Sequence, residues 1–269
     1  MAFPTYESYN LDITTTPLYR DFPQHDLVLI GVVHRFDTQG IRNATERRQK
    51  FITEIQRAKH LIIEAEVRNN IPDNPRVIDF DKVVSIYGHQ AQFHFLEDGT
   101  ANYAEIAEKY GLKRGMLGIY NVFRYLSRIS HLRCSDEEKI EILHGIMSNI
   151  RDNYGMSFID VDDSLNKLRW LAANMPQTIG LAHKFGSTVF PLYSADMREY
   201  DILAPKTLEL LARLDGKKRE IVGAIHVDGL EKHIREENVE PPPEWEDLTG
   251  RLAPEMGGFI RLIERTFPG

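Results

Sequence analysis

Two strings in this chain end alike. Gly31-Val32-Val33-His34 closes the apolar run "LVLI", and Gly223-Ala224-Ile225-His226 closes the run "EIV". Between them, Leu61-Ile62-Ile63 runs into Glu64-Ala65-Glu66. Imidazole and carboxylate suit a divalent ion such as Mn, Co, Fe or Zn, and three protein ligands leave room for water. An ion held in that way lowers the pKa of the water and creates a nucleophile near neutral pH. His34, Glu64 and His226 are therefore a candidate metal set. Side chains alternate along a strand, so Glu66 points to the same face as Glu64. It is a candidate general base, or a group that steadies a histidine.

These groups can meet only if their strands end at one edge. "HDLVLIGVVH" (25 to 34) is a continuous apolar run, as expected of a strand buried on both faces of a parallel sheet. "IRNATERRQKFITEIQRAK" follows, with Ile41, Ala44, Phe51, Ile52, Ile55 and Ala58 on one helical stripe. "HLIIEAEV" is the next strand, so the three segments form a βαβ unit. "REIVGAIHVDGLEKHI" repeats the theme of strand, Gly-x-x-His and amphipathic helix. In open α/β sheets, ligands sit at the carboxyl ends of the strands. With neighbouring strands about 4.8 Å apart, three such ends can converge.

Gly-x-x-His alone is a weak signal. With 18 Gly and 10 His, roughly 0.7 matches arise by chance. A third match, Gly180-Leu181-Ala182-His183, has only "PQTIG" before it and no strand run, so it reads as chance. The strand context raises the other two.

The expected fold is α/β: a mostly parallel central sheet flanked by helices, in a single domain over 1–269. A helical insertion is expected at about 100–175. "ANYAEIAEKYG" ends on Gly111, a plausible C-cap. Ser135 with Glu138 forms a capping-box pattern. Residues 162 to 174 and the closing "GGFIRLIERTF" also read as helices. Another helix breaks or starts near Pro205. The first 24 residues are polar and suit a short arm or an edge element.

Composition narrows the function classes. The chain has 269 residues, 42% hydrophobic and 27% charged, with net charge -7. That balance fits an ordinary globular protein and argues against a non-specific nucleic-acid binder, which needs a basic face. The N-terminus lacks a basic region followed by an apolar one, and no apolar run nears the ~20 residues of a membrane helix. A cytoplasmic protein with no membrane partner is expected. The single Cys134 cannot form an internal disulfide, and no base partner marks it as a nucleophile. Neither Gly-x-Gly-x-x-Gly nor a Walker A string is present, so a nucleotide or phosphate binder ranks low.

The string "IVGAIHVDGL" resembles the signature of the TraB/pheromone-shutdown family. That family also has an early strand ending in Gly-x-x-His, here "LVLIGVVH". Its next strand carries Glu followed by Arg, here "IIEAEVR". "DMREYDILA" is similar to the family's helix start with Arg and an acid, and singles out Arg198. The wider group includes the Tiki-type metalloproteases, the erythromycin esterases and the ChaN-like haem-binding proteins. The likeness covers about the first 70 residues and about 190 to 235. It implies His34, Glu64 and His226 as active-site or metal-site residues, with Gly31 and Gly223 shaping the turns.

Two functions follow as expectations. One is a metal-dependent hydrolase acting on a peptide, ester or amide. In it His34, Glu64 and His226 hold a divalent metal, and Glu66 or a nearby Arg such as Arg198 manages protons or the oxyanion. Its partner is a small-molecule or peptide substrate, and a homo-oligomer is compatible with the sequence. The other is a non-catalytic protein of the same fold that binds haem, a metal or a small signal molecule. The plainer alternatives are satisfied histidines at strand ends, and a Glu64 ion pair with Arg68 or Arg198. His89 and His94 in "YGHQAQFHF" fit a strand or loop at a pocket rim. The runs "TERRQK" and "DEEKIE" fit solvated helix faces.

Overall fold

The computed structural model describes residues 18–32, 35–37, 44–65, 77–79, 84, 88–97, 103–129, 135–153 and 160–267. The chain opens with β1 (Leu18–Phe22), β2 (Leu27–Val32), β3 (Arg35–Asp37), α1 (Ala44–Gln56), β4 (His60–Ala65), β5 (Val77–Asp79) and β6 (Gln92–Glu97). A helical stretch follows: α2 (Tyr103–Lys109), α3 (Arg114–Ile129), α4 (Asp136–Asn153), α5 (Val161–Asn174), α6 (Pro176–Lys184), α7 (Phe190–Arg198) and α8 (Ala204–Arg213). The chain then forms β7 (Lys218–Gly223), α9 (Val227–Ile234), α10 (Trp245–Arg251) and α11 (Pro254–Thr266). It divides into two compact units, Met1–Ala101 with Arg198–Glu240, and Asn102–Met197 with Pro241–Gly269.

The first unit is built on a five-stranded sheet in the order β1-β2-β7-β4-β6. β2, β7, β4 and β6 are mutually parallel, and β1 is an antiparallel edge strand. The fold is thus the mixed α/β fold that the sequence implies, with a mostly parallel sheet flanked by helices and a long helical stretch in the middle. β2 and β4 are joined through α1, yet they are not neighbours, because β7 lies between them. That insertion brings the two Gly-x-x-His strands side by side, with Gly31 opposite Val222 and Val32 opposite Gly223. A small second sheet pairs β3 with β5, antiparallel.

Side-chain alternation explains how the sheet is covered. Ile30, Val32, Leu61, Ile63 and Ile221 pack with Phe51, Ile52 and Ile55 of α1 in one buried cluster. Each such side chain, fully buried, contributes about 1.5–3 kcal/mol. Arg219 lies on that face too and reaches Glu54 of α1 at 2.7 Å. On the opposite face Glu220 meets Thr207 of α8. Gly31 there lets α9 approach closely. A Cβ at Gly31 would run into Val227 and stand 3.1 Å from the Cα of Ala224.

The second unit is helical around an aromatic core. The Tyr120 ring lies tilted 4.9 Å from Phe185 and 5.1 Å from Trp245, and Phe123 meets Phe259 edge-on at 5.5 Å. The capping box is present: Ser135 N donates to Glu138 at 2.7 Å, and Glu138 N donates to Ser135 at 3.2 Å. Gly111 has φ +77°, the left-handed value expected of a cap.

As expected, a helix starts near Pro205: α8 begins at Ala204 with Pro205 in its first turn, directly after the π-helical segment Glu199–Leu203, and a second π-helical segment, Phe185–Val189, lies between α6 and α7. A proline removes one backbone donor. A π turn just before Pro205 accommodates that loss by shifting the hydrogen-bond register. Among the described residues, no helix is long and apolar enough to cross a membrane.

Candidate functional site

The parallel register sends the carboxyl ends of β2, β7, β4 and β6 to one edge. Glu64 lies one residue before the end of β4, and Glu97 is the last residue of β6. His226 closes the short turn Ala224–His226 after β7 and is 2% exposed. Arg198 ends α7 as the chain returns to the first unit, and Glu199 opens the π-helical segment beside it.

These five side chains make one bonded cluster. Arg198 Nη2 donates to Glu64 Oε1 at 2.6 Å and to Glu97 Oε1 at 2.7 Å. Arg198 Nε donates to Glu97 Oε1 at 2.9 Å. The second oxygen of Glu64 accepts from the backbone N–H of Gly223 at 2.6 Å. His226 Nε2 lies 3.3 Å from Arg198 Nη1 and 3.7 Å from Glu64 Oε1. On its other side, His226 Nδ1 lies 3.2 Å from Glu199 Oε1.

The charges explain the protonation. Burial works against the Glu64 anion, but His226, Arg198 and the Gly223 N–H outweigh it and hold the carboxyl at about 2. Burial also works against the Arg198 cation, and Glu64 and Glu97 more than offset it, raising its pKa further. Glu199 fixes the orientation of His226. With Nδ1 directed at that carboxylate, Nε2 faces Glu64 and Arg198. Gly229 makes room for this, since a Cβ there would collide with the Glu199 carboxylate. Chemically, the cluster combines an oriented imidazole, a permanent anion and a guanidinium.

No family model, curated protein or solved structure matches the chain.

Of the residues singled out by sequence, Glu64, His226 and Arg198 come together here, and Gly223 joins them through its N–H. Gly31 sits one strand over, where its missing side chain admits Val227. His34 and Glu66 lie outside the described residues, as do Arg68 and Cys134. The Glu64–Arg198 ion pair, one of the plainer alternatives, is present. Among the described residues, no group of three or more His, Cys, Asp or Glu is placed to hold a metal ion. His226 and Glu64 supply two facing donors. His183 lies in α6 of the second unit. His94 lies within β6, three residues before Glu97.

Two members were not anticipated. Glu97 could have been found as the acid that ends an apolar strand, "QFHFLE", by the same logic that found Glu64. Glu199 follows Arg198 directly, and regular helical geometry turns adjacent side chains about 100° apart. The two reach opposite sides of the His226 ring, Arg198 at Nε2 and Glu199 at Nδ1, and nothing in the local sequence announces that.

Proposed function

We propose that this chain is a hydrolase of a peptide, ester or amide bond whose strand-end site takes a divalent metal ion. The carrying observation is the orientation of His226: Nδ1 against Glu199 and Nε2 facing Glu64 at 3.7 Å. A carboxylate behind a histidine is how metal-binding imidazoles are commonly steadied. The donor chemistry fits an ion. Three carboxylates (Glu64, Glu97 and Glu199) face one guanidinium and one imidazole. A further cation offsets that negative excess. His226 and Glu64 would hold it, with His34 as the proposed third ligand. When bound, the ion supplies Lewis acidity, acidifying a water molecule and polarising a carbonyl.

The chain's own residues perform the rest. Glu64, held at about 2, stays anionic at neutral pH and acts as a fixed negative charge. Arg198, with two bonds to Glu97 Oε1 besides the one to Glu64, would supply the positive charge that stabilises a developing oxyanion. Glu66 is the proposed proton acceptor. The resemblance to the TraB family agrees with this reading at three strand ends.

A second reading rests on Arg198 itself. Its guanidinium already stands against both Glu64 and His226. Without a metal ion, His226 would accept a proton from water at Nε2, steadied by Glu199, while Arg198 holds the oxyanion.

A panel of ester, amide and peptide substrates tests both readings, with and without a chelator. Turnover that is lost on chelation and restored by one ion supports the first. Turnover indifferent to chelation supports the second. Hydrolysis that survives His34→Ala with His226→Ala sinks both, and metal retained without any turnover indicates a binding protein.

A further inference from the structure

A second histidine constellation lies toward the other end of the same strands. His60 opens β4 and His94 lies in β6. His60 is opposite Gln92 in the parallel register, so His94 is its diagonal neighbour on the same face. Glu64 is four positions beyond His60, about 13 Å along a strand. This pair is therefore distinct from the strand-end cluster.

His60 is 4% exposed and His94 is partly exposed. His60 Nε2 lies 3.1 Å from the backbone carbonyl of Asp215, and Nδ1 lies 3.1 Å from His94 Nε2. A carbonyl can only accept, so in the neutral ring Nε2 carries the proton and the Nδ1 lone pair faces His94. A backbone carbonyl fixing the far nitrogen is the support that metal-binding histidines use. Two imidazole nitrogens, each about 2.0–2.1 Å from one ion, stand about 2.9–3.4 Å apart in octahedral or tetrahedral geometry. The observed 3.1 Å falls inside that window.

We infer that His60 and His94 form a two-imidazole site for a divalent transition-metal ion of the Zn, Ni or Cu class, with water completing its coordination. Without an ion, the same two atoms share one hydrogen bond, which His94 donates from Nε2. Binding moves that proton to His94 Nδ1, so no net proton is released. Burial, then His60 and Arg213, lower the His94 pKa and keep the ring in the neutral form that a ligand needs. Arg213 opposes a cation here. Its side chain is 59% exposed and reaches Glu209 at 3.4 Å, so its repulsion is screened.

The experiment is calorimetric titration of Zn²⁺ and Ni²⁺ into full-length protein carrying His226→Ala, which removes a donor from the strand-end cluster. The expected result is one equivalent bound, weakened about tenfold or more when His94→Gln is added. Glutamine can still donate a hydrogen bond to His60, so that variant keeps the pair's contact while removing the ligand. Histidine ¹⁵N spectra should show His60 and His94 shifting together with the bound ion. Absence of binding in the His226→Ala protein, or binding unmoved by His94→Gln, would overturn the inference. Neither result depends on whether the strand-end cluster binds metal or hydrolyses anything.

Discussion

The contacts of Glu64 explain why a strand that is buried from His60 to Ile63 then carries an acid. Its burial is offset by Arg198, His226 and the Gly223 N–H, and the balance can be read from pH dependence. The folded value of about 2 lies below the ordinary 4.5. The stabilisation is therefore complete above pH 4.5 and is lost as the pH falls toward 2. It amounts to about 3 kcal/mol. Urea unfolding of the parent and of Glu64→Gln at several pH values should show a gap that narrows over that range. Curves that run parallel would mean that Glu64 is not held by these partners. The sequence made Glu64, Arg198 and His226 legible because each sits at an element end in a recognisable string. Glu97 and Glu199 are not legible because their roles depend on which strand lies next to β4 and on where the turn after β7 places His226.

The elements place these side chains through close packing. Helix α9 lies against Glu199 only because Gly229 has no Cβ. Gly229→Ala is expected to cost about 1–3 kcal/mol through overpacking. It should also free His226 from the orientation that Glu199 gives it, seen as a changed histidine ¹⁵N pattern. Gly180→Ala is the control: nothing stands within 4 Å of a Cβ there. It should gain about 0.5–1 kcal/mol of helix stability. A lower melting temperature for Gly229→Ala alone supports the packing role, and equal behaviour of the two variants contradicts it.

Strand β7 makes a second pH-dependent contribution. Glu220 is fully buried, with Oε1 accepting from Thr207 at 2.6 Å and Oε2 lacking a partner among the described residues. Burial raises its pKa from 4.5 to about 7, against the Thr207 bond. Between those values the unfolded chain releases a proton that the folded chain keeps, so stability falls as the pH rises. The loss reaches about 3 kcal/mol by neutrality. Glu220→Gln should flatten that decline in melting temperature between pH 5 and 8. An unchanged slope would mean that the carboxyl has another partner. The strand itself was legible from "REIVG", but the acid inside it gave no sign of which helix would cover it.

At the scale of the molecule, the sequence conveyed the α/β class and the parallel sheet because continuous apolar runs need cover on both faces. Pattern alone could not convey the strand order. The hydrophobic run of β7 lies some 150 residues beyond β4, yet it inserts between β2 and β4. That long-range pairing creates the shared edge where Glu64, Glu97, Arg198 and His226 meet. The central proposal is that this edge takes a divalent ion. Metal content by mass spectrometry tests it most directly, on purified protein incubated with Mn, Co, Fe or Zn and then desalted. A protein carrying His34→Ala with His226→Ala is measured beside it. The expected result is close to one ion per chain beyond any held at His60 and His94, lost in the double variant. Equal metal content in parent and double variant, whichever ion is supplied, would contradict the proposal.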